Sequence, residues 1–159
     1  LPVSVAIIKV LFVEVGDREF GVPIKYIDEI SRETRIQQVD GAEVIVHEER
    51  IFPLIRLRKA LDLDTDPVDS GMVVRIRPAD RQVALQCEGV SRQEEVVVTP
   101  LQGPLRGTEG LSGTAVVGDG NVVPILDVNS LRIPDEGKQA RRQWVPPEED
   151  GAEAEGVAD

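Results

Sequence analysis

The stretch VVGDGNVVPILDVNSL, Val116 to Leu131, repeats the pattern of IVHEERIFPLIRLRKAL, Ile45 to Leu61. With Pro124 set against Pro53, an offset of 71, each stretch holds an apolar strand, a polar turn, a second apolar pair, a proline, and a run of helical spacing. A chain of 159 residues that builds one corner twice is constrained to a duplicated fold. Proline has no N–H for a β-ladder, so Pro53 and Pro124 are expected at edges or strand ends. Each is read as stopping a strand and turning the chain into a short helix. Upstream, Asp17 matches Asp80 at an offset of 63, so the first halves of the repeats align differently. The Gly/Pro-rich loop Pro100–Gly110 absorbs most of that difference.

The rest of the chain fits two copies of about five short strands each. Ile7 to Val15 is almost continuously apolar and reads as a strand buried on both faces. Gly16–Glu19 is a turn and Phe20–Val22 the returning strand. Pro23 starts a short helix, with Ile24, Ile27 and Ile30 as its apolar stripe. Thr34–Val39 and Glu43–Val46 are strands, and Leu54, Leu57 and Leu61 mark a second helix. Asp62–Gly71 is an acidic link. Met72–Ile76, Gln82–Gln86, Glu94–Thr99, Thr114–Val117 and Asn121–Val123 are the later strands. Asp119-Gly120 suits a type I′ turn, and Leu126–Leu131 a third helix. Two small closed or half-closed sheets follow, each marginal alone and sharing a core when packed together.

Composition narrows the partners. With one Trp, one Tyr and three Phe, the core must be Val, Ile and Leu, which favours strands. Net charge is −11, and residues 1–134 carry 21 acidic against 15 basic side chains, so even the folded part is acidic. No basic stripe exists for nucleic acid or an anionic membrane. The acidic surface suits ordinary solvation or a salt-adapted source. One cysteine, Cys87, excludes an internal disulfide and suits a reducing cytosol. No apolar run reaches membrane-spanning length.

Catalytic constellations fare poorly. Ser112 in GLSGT and His47 are the only parts of a nucleophilic triad, and no acid stands out to orient the histidine. One His and one Cys make zinc implausible. Asp62–Asp66 alternates acids without the downstream Gly and Glu of a calcium loop. Pro100–Gly110 lacks the Lys-Ser/Thr step of a phosphate loop. Trp144 sits in an acidic tail, where it is a lone anchor for a partner at most. No cofactor and no metal are expected; a binding module is.

VLFVEVGDREFGVPIKYIDEI, IFPLIRLRKAL, EGVSRQEEVVVTPL and GLSGTAVVGDGNVVPILDVNSL resemble the CheW-like regulatory domain of chemotaxis histidine kinases, over Ile8 to about Leu131. Free adaptors of this family usually carry Asn-Leu-Arg-Gly before the first corner; VHEERIFPLIRL is in the kinase style, so the free-standing adaptor is the alternative. The resemblance implies an all-β fold of two five-stranded SH3-like barrels with a few short helices. It places the barrels at 9–70 and 71–133, with an ATPase-domain remnant at 1–8 and a disordered acidic tail at 134–159. It implies a cytoplasmic domain, associated with membrane receptor complexes, that binds the CheW adaptor and chemoreceptor tips. The ATPase domain of the same chain would be regulated through Val5–Lys9. The phosphotransfer chemistry would lie elsewhere, because His47 does not match the substrate histidine. The expected adaptor-binding residues are Ile36, Val44, Ile45, Val46 and Ile51. The expected receptor-binding residues are Val96, Val98 and Leu101, in the groove between barrels.

Overall fold

A computed structural model describes residues 6–32, 36–63, 71–101 and 110–131. The expected N-terminal remnant up to residue 5, most of the acidic link and of the Pro100–Gly110 loop, and the acidic tail with Trp144 lie outside the described residues. The elements are β1 (Ala6–Val15), β2 (Arg18–Pro23), β3 (Ile27–Arg32), β4 (Ile36–Val39), β5 (Ala42–His47) and β6 (Arg50–Arg56). They continue with α1 (Leu57–Ala60), β7 (Met72–Ile76), β8 (Val83–Cys87), β9 (Gly89–Pro100), β10 (Leu111–Val116) and β11 (Val122–Leu126). Single 3₁₀ turns occupy Ile24–Tyr26, Pro78–Asp80 and Val128–Ser130.

The fold is all-β, as expected, but the two units are assembled by exchange. A closed barrel runs β1-β2-β11-β10-β9, and a six-stranded sheet runs β3-β7-β8-β6-β5-β4. The first repeat, β1 to β6, gives its β1–β2 hairpin to the barrel that β9, β10 and β11 complete. The second repeat, β7 to β11, gives its β7–β8 hairpin to the sheet of β3 to β6. The division at residue 70 into two sequential barrels is therefore corrected: each unit takes strands from both repeats. The reason is reach. Pro23–Tyr26 carries the chain out of the barrel immediately after β2, and Glu88 carries it back between β8 and β9.

The equivalence is close. The parallel pair Ile125↔Gly21 of β11 and β2 corresponds to Leu54↔Ala84 of β6 and β8. β1 runs antiparallel to β9 as β7 does to β3. The long β9 pairs with both β1 and β10, whereas its counterpart is divided into β3, on β7, and β4, on β5. Four residue steps from Arg32 to Ile36 span about 14 Å at most, so the sheet's two edge strands must curl toward each other. The second unit is a six-stranded sheet, open between β3 and β4 among the described residues. β10 lies tightly against β9 at Gly113, paired with Pro100, where a Cβ would lie 2.4 Å from the Thr99 carbonyl oxygen, so only glycine fits.

Pro53 and Pro124 sit inside β6 and β11 rather than ending them. Pro53 pairs with Val44 and Pro124 with Thr114, and the next residue in each case begins a parallel ladder to a different strand. The proline marks the handover between ladders, where one N–H is dispensable. The first expected helix is also corrected. Ile27 and Ile30 lie in β3, where a register shift between Ile27 and Glu29 turns both toward the same core. A bulge gives a strand the spacing that otherwise signals a helix. Leu54 is in β6, and only Leu57–Ala60 is helical. Asp119 lacks the positive φ of a type I′ turn. Asp40–Gly41 and Glu48–Glu49 are the turns with positive φ at both positions.

β1 supplies both sides of the packing over Val10–Val13. Val10 and Phe12 face the barrel interior with Val96, Ala115, Val117, Val123 and Ile125. Leu11, Val13 and Val15 face the opposite way, into a core shared with Ile55, Leu57, Val74, Ile76 and Leu85 of the open sheet. The open sheet's own interior is smaller: Phe52, Leu54, Val73 and Ala84, with Ile36 and Ile45 against it. Arginines complete it. Arg50 and Arg75 lie 5.6 and 5.2 Å from the Phe52 ring centroid, and Arg56 grips Glu43 through two 2.8 Å bonds.

Candidate interaction surfaces

Among the described residues, one apolar face stays uncovered. Ile7 pairs with Val97 across β1 and β9, and Val116 pairs with Val122 across β10 and β11. The register that sets Ala115 opposite Val98 brings Val97 beside Val116 at the next step. These four side chains form one row over four adjacent strands, on the outside of the closed barrel. They are exposed by 67% (Ile7), 49% (Val97), 67% (Val116) and 60% (Val122). Strand parity explains the row, since Val96, Val98, Ala115 and Val123 are their inward-facing neighbours. A contiguous exposed apolar row marks a contact surface, whereas scattered apolar residues do not.

The sequence-based site residues fall mostly elsewhere. Val44 is fully buried and Ile51 nearly so, in a cluster with Ala42 and Val39. Ile36 and Ile45 pack against the interior of the open sheet. Val96 is buried inside the closed barrel and Val98 packs beside it. Burial corrects Val44, Ile51 and Val96 to packing residues, while Ile36, Ile45 and Val98 are half-buried against the interiors. Val46 and Leu101 remain partly accessible. The outward residue on β9 is Val97, one step from both choices. The alternation in EEVVVTP carried that signal, but the parity depended on which strand β9 pairs with. Val46 leads into the exposed tip Glu48–Glu49–Arg50, where His47 Nε2 lies 3.9 Å from Glu48.

Ser112, Arg92, Cys87 and Glu43 are held in contacts of the fold. The Ser112 hydroxyl donates to the Ile125 carbonyl at 3.4 Å, and no hydrogen bond among the described residues joins it to His47. No group of three potential metal ligands occurs among the described residues. Arg92 stacks on Phe12, 4.4 Å from the ring centroid, and is held by Glu19 and Glu94. Cys87 is buried, its thiol donating to the Met72 carbonyl at 3.7 Å, and burial pushes its pKa up to about 12. Burial thus disfavours the thiolate, the form that reacts with disulfides. Native protein should therefore stay unlabelled by an aromatic disulfide reagent that labels it stoichiometrically in guanidinium. Fast labelling without denaturant would contradict this placement.

Glu43 gives the fold an acid-side dependence. Its hydrogen bonds from Arg56 hold its carboxyl below the ordinary value of 4.5, against the opposing effect of burial. A depressed native pKa contributes stability that is complete above the unfolded value and lost as pH falls through the native one. Wild type should thus lose stability below about pH 4.5 more steeply than Glu43→Gln, as read from urea melts at pH 7 and pH 3.5. At pH 7 the variant should be less stable by about 1–2 kcal/mol. Parallel pH profiles for the two proteins would exclude the ion pair as the cause.

Comparison with known proteins places this geometry. The family described as CheW-like domain matches residues 9–133. The chain is 56% identical over 132 residues to the chemotaxis protein CheA of Halobacterium salinarum, covering 82% of this chain and 20% of that protein. It is 30% identical over 136 residues to the chemotaxis protein CheA of Treponema pallidum, covering 82% and 17%. It thus spans about a fifth of the length of these relatives. The scaffolding protein TtCheW from Thermoanaerobacter tengcongensis has the same fold, with a TM-score of 0.64 at 14% identity over 77% of this chain and 90% of that one. No described helix is long and apolar enough to cross a membrane. The chain belongs to the CheW-like domain family and is a CheW-like domain of the kind found in CheA chemotaxis proteins.

Proposed function

We propose that this chain is a regulatory scaffold domain of a chemotaxis histidine kinase, working by protein contact and not by bond-making chemistry. One observation carries the reading: the apolar row Ile7–Val97–Val116–Val122 stands exposed on a rigid barrel, and the polar groups around it are engaged structurally. The row is the contact for chemoreceptor tips. The rim at Val46–Arg50, on the other unit, is the contact for a CheW-type coupling adaptor. The shared core fixes the spacing of the two surfaces, so occupancy of both biases the ATPase domain that joins the chain ahead of β1, in the cytoplasm at receptor complexes.

The test uses two partners. A CheW-type adaptor titrated without nucleotide should bind saturably in the micromolar range. Val97→Asp combined with Val116→Asp should abolish co-sedimentation with receptor tips, since a charge must be desolvated in the contact. The same pair should leave adaptor affinity within about twofold and lower the urea midpoint without removing the cooperative transition, since the two opposed carboxylates cost about 1–2 kcal/mol. No adaptor binding at about 100 μM, or receptor binding indifferent to the two aspartates, would overturn the reading.

A further inference from the structure

The hydrogen-bonded ladders divide cleanly by repeat. Within the first repeat the ladders are β1–β2, β4–β5 and β5–β6. Within the second they are β7–β8, β9–β10 and β10–β11. Among the described residues, every other ladder joins one repeat to the other: β1–β9, β2–β11, β3–β7 and β6–β8. The shared core is likewise built across the division, with Leu11, Val13, Ile55 and Leu57 from the first repeat against Val74, Ile76, Leu85 and Leu126 from the second. The described part of the first repeat ends at Leu63 and that of the second begins at Gly71.

A ladder satisfies its donors and acceptors whichever chain supplies the second strand. We infer that the partner surface of each repeat is a complete recognition surface for the opposite repeat of a second copy, so that two chains can exchange second repeats and form a reciprocal dimer. All four joining ladders and the shared core recur in such a dimer, so no native contact among the described residues is lost. What favours the monomer is the tether. A short link holds the two repeats at an effective concentration in the millimolar range. Exchange is therefore rare at micromolar protein and competes at millimolar protein. The rule extends to crowded assemblies, where local concentration of this domain alone would favour exchange. Strand exchange involves no free edge: the surfaces that meet are those buried in the monomer, which separates it from edge-to-edge association of β3 or β4.

Complementation between two full-length variants tests this. Phe12→Asp places a carboxylate in the closed barrel's interior and disables the first repeat; Leu85→Asp disables the second through the shared core. Both positions are fully buried. Each variant alone should lack a cooperative melt. Refolded together in equal amounts, they should recover about half of the wild-type β-sheet signal per chain, as a heterodimer by light scattering. A mixture that behaves as the sum of two unfolded chains would overturn the inference. A second arm uses wild type refolded at about 1 mM and at about 1 μM, then compared at equal dilution. A dimer trapped only in the concentrated sample is expected, in roughly half of the molecules at the effective concentration of the tether. Monomer alone in both samples would overturn the inference even where a single aspartate variant stays folded.

Discussion

A chain cut between Leu63 and Gly71 should lose its fold in both pieces and regain it on mixing. The first piece keeps a two-stranded hairpin and the β4–β5–β6 ladders, and the second keeps β7–β8 with β9–β10–β11. Sheets of two or three strands without their opposing layer are marginal at best, and neither piece can close the barrel or cover the shared core. Each piece alone should therefore give no cooperative thermal transition. Together at micromolar concentration they should melt cooperatively, at a temperature that rises with concentration, since folding has become association. A cooperative melt of either piece by itself would mean that a barrel can be assembled from one repeat.

Phe12→Ala should cost about 3–5 kcal/mol, the range for a buried aromatic whose site cannot collapse. Phe12 is fully buried and is the one aromatic ring in the interior cluster of the closed barrel, whose other members are aliphatic and mostly valine. Closed barrels cannot close over a void without breaking a ladder, so most of the cavity persists. Loss of the Arg92 stacking adds about 0.5–1 kcal/mol. A domain of ordinary stability holds about 5–15 kcal/mol in total, so the melting temperature should fall by about 10–15 °C. Val97→Ala, on the same barrel with its side chain outward, should cost under about 0.5 kcal/mol. Equal losses for the two would contradict the assignment of inward and outward faces.

These expectations differ in how far the sequence foretold them. The repeat was legible, because Pro53 and Pro124 do occupy equivalent places, and so do the turns at Asp17 and Asp80. The all-β class followed from an aliphatic, β-branched core. The exchange of hairpins was not legible, because local pattern cannot say whether β1 closes against β4 or β9. Both answers bury the same alternate residues of β1. The parity error at Val96 and Val98 has the same origin: a run of three valines offers two faces, and only the β1–β9 register selects one. Ile27 and Ile30 misled for a different reason, since a bulge reproduces helical spacing inside a strand. Val44 and Ile51 looked available because alternation predicts orientation and not coverage.

The exchange also bears on how such a domain could transmit a signal. β1 enters the closed barrel at its exposed row and leaves, through β2 and Pro23–Tyr26, into β3 of the open sheet. A displacement of the barrel therefore reaches the other unit through backbone as well as through the shared core. That coupling is the route by which the proposed contacts on the two units would influence each other.

The most direct measurement is a cross-link between the two repeats. Ile7 and Val97 are register partners on β1 and β9, both exposed. Directly opposed residues of an antiparallel pair lie about 4.5–5.5 Å apart at Cα, within the range a disulfide spans. Ile7→Cys with Val97→Cys should close an intramolecular disulfide nearly completely under mild oxidation at micromolar protein, with Cys87 left reduced and the melting temperature raised. Absence of that disulfide, in a protein that melts cooperatively, would show that β1 does not lie against β9 and that the two units are not built by exchange.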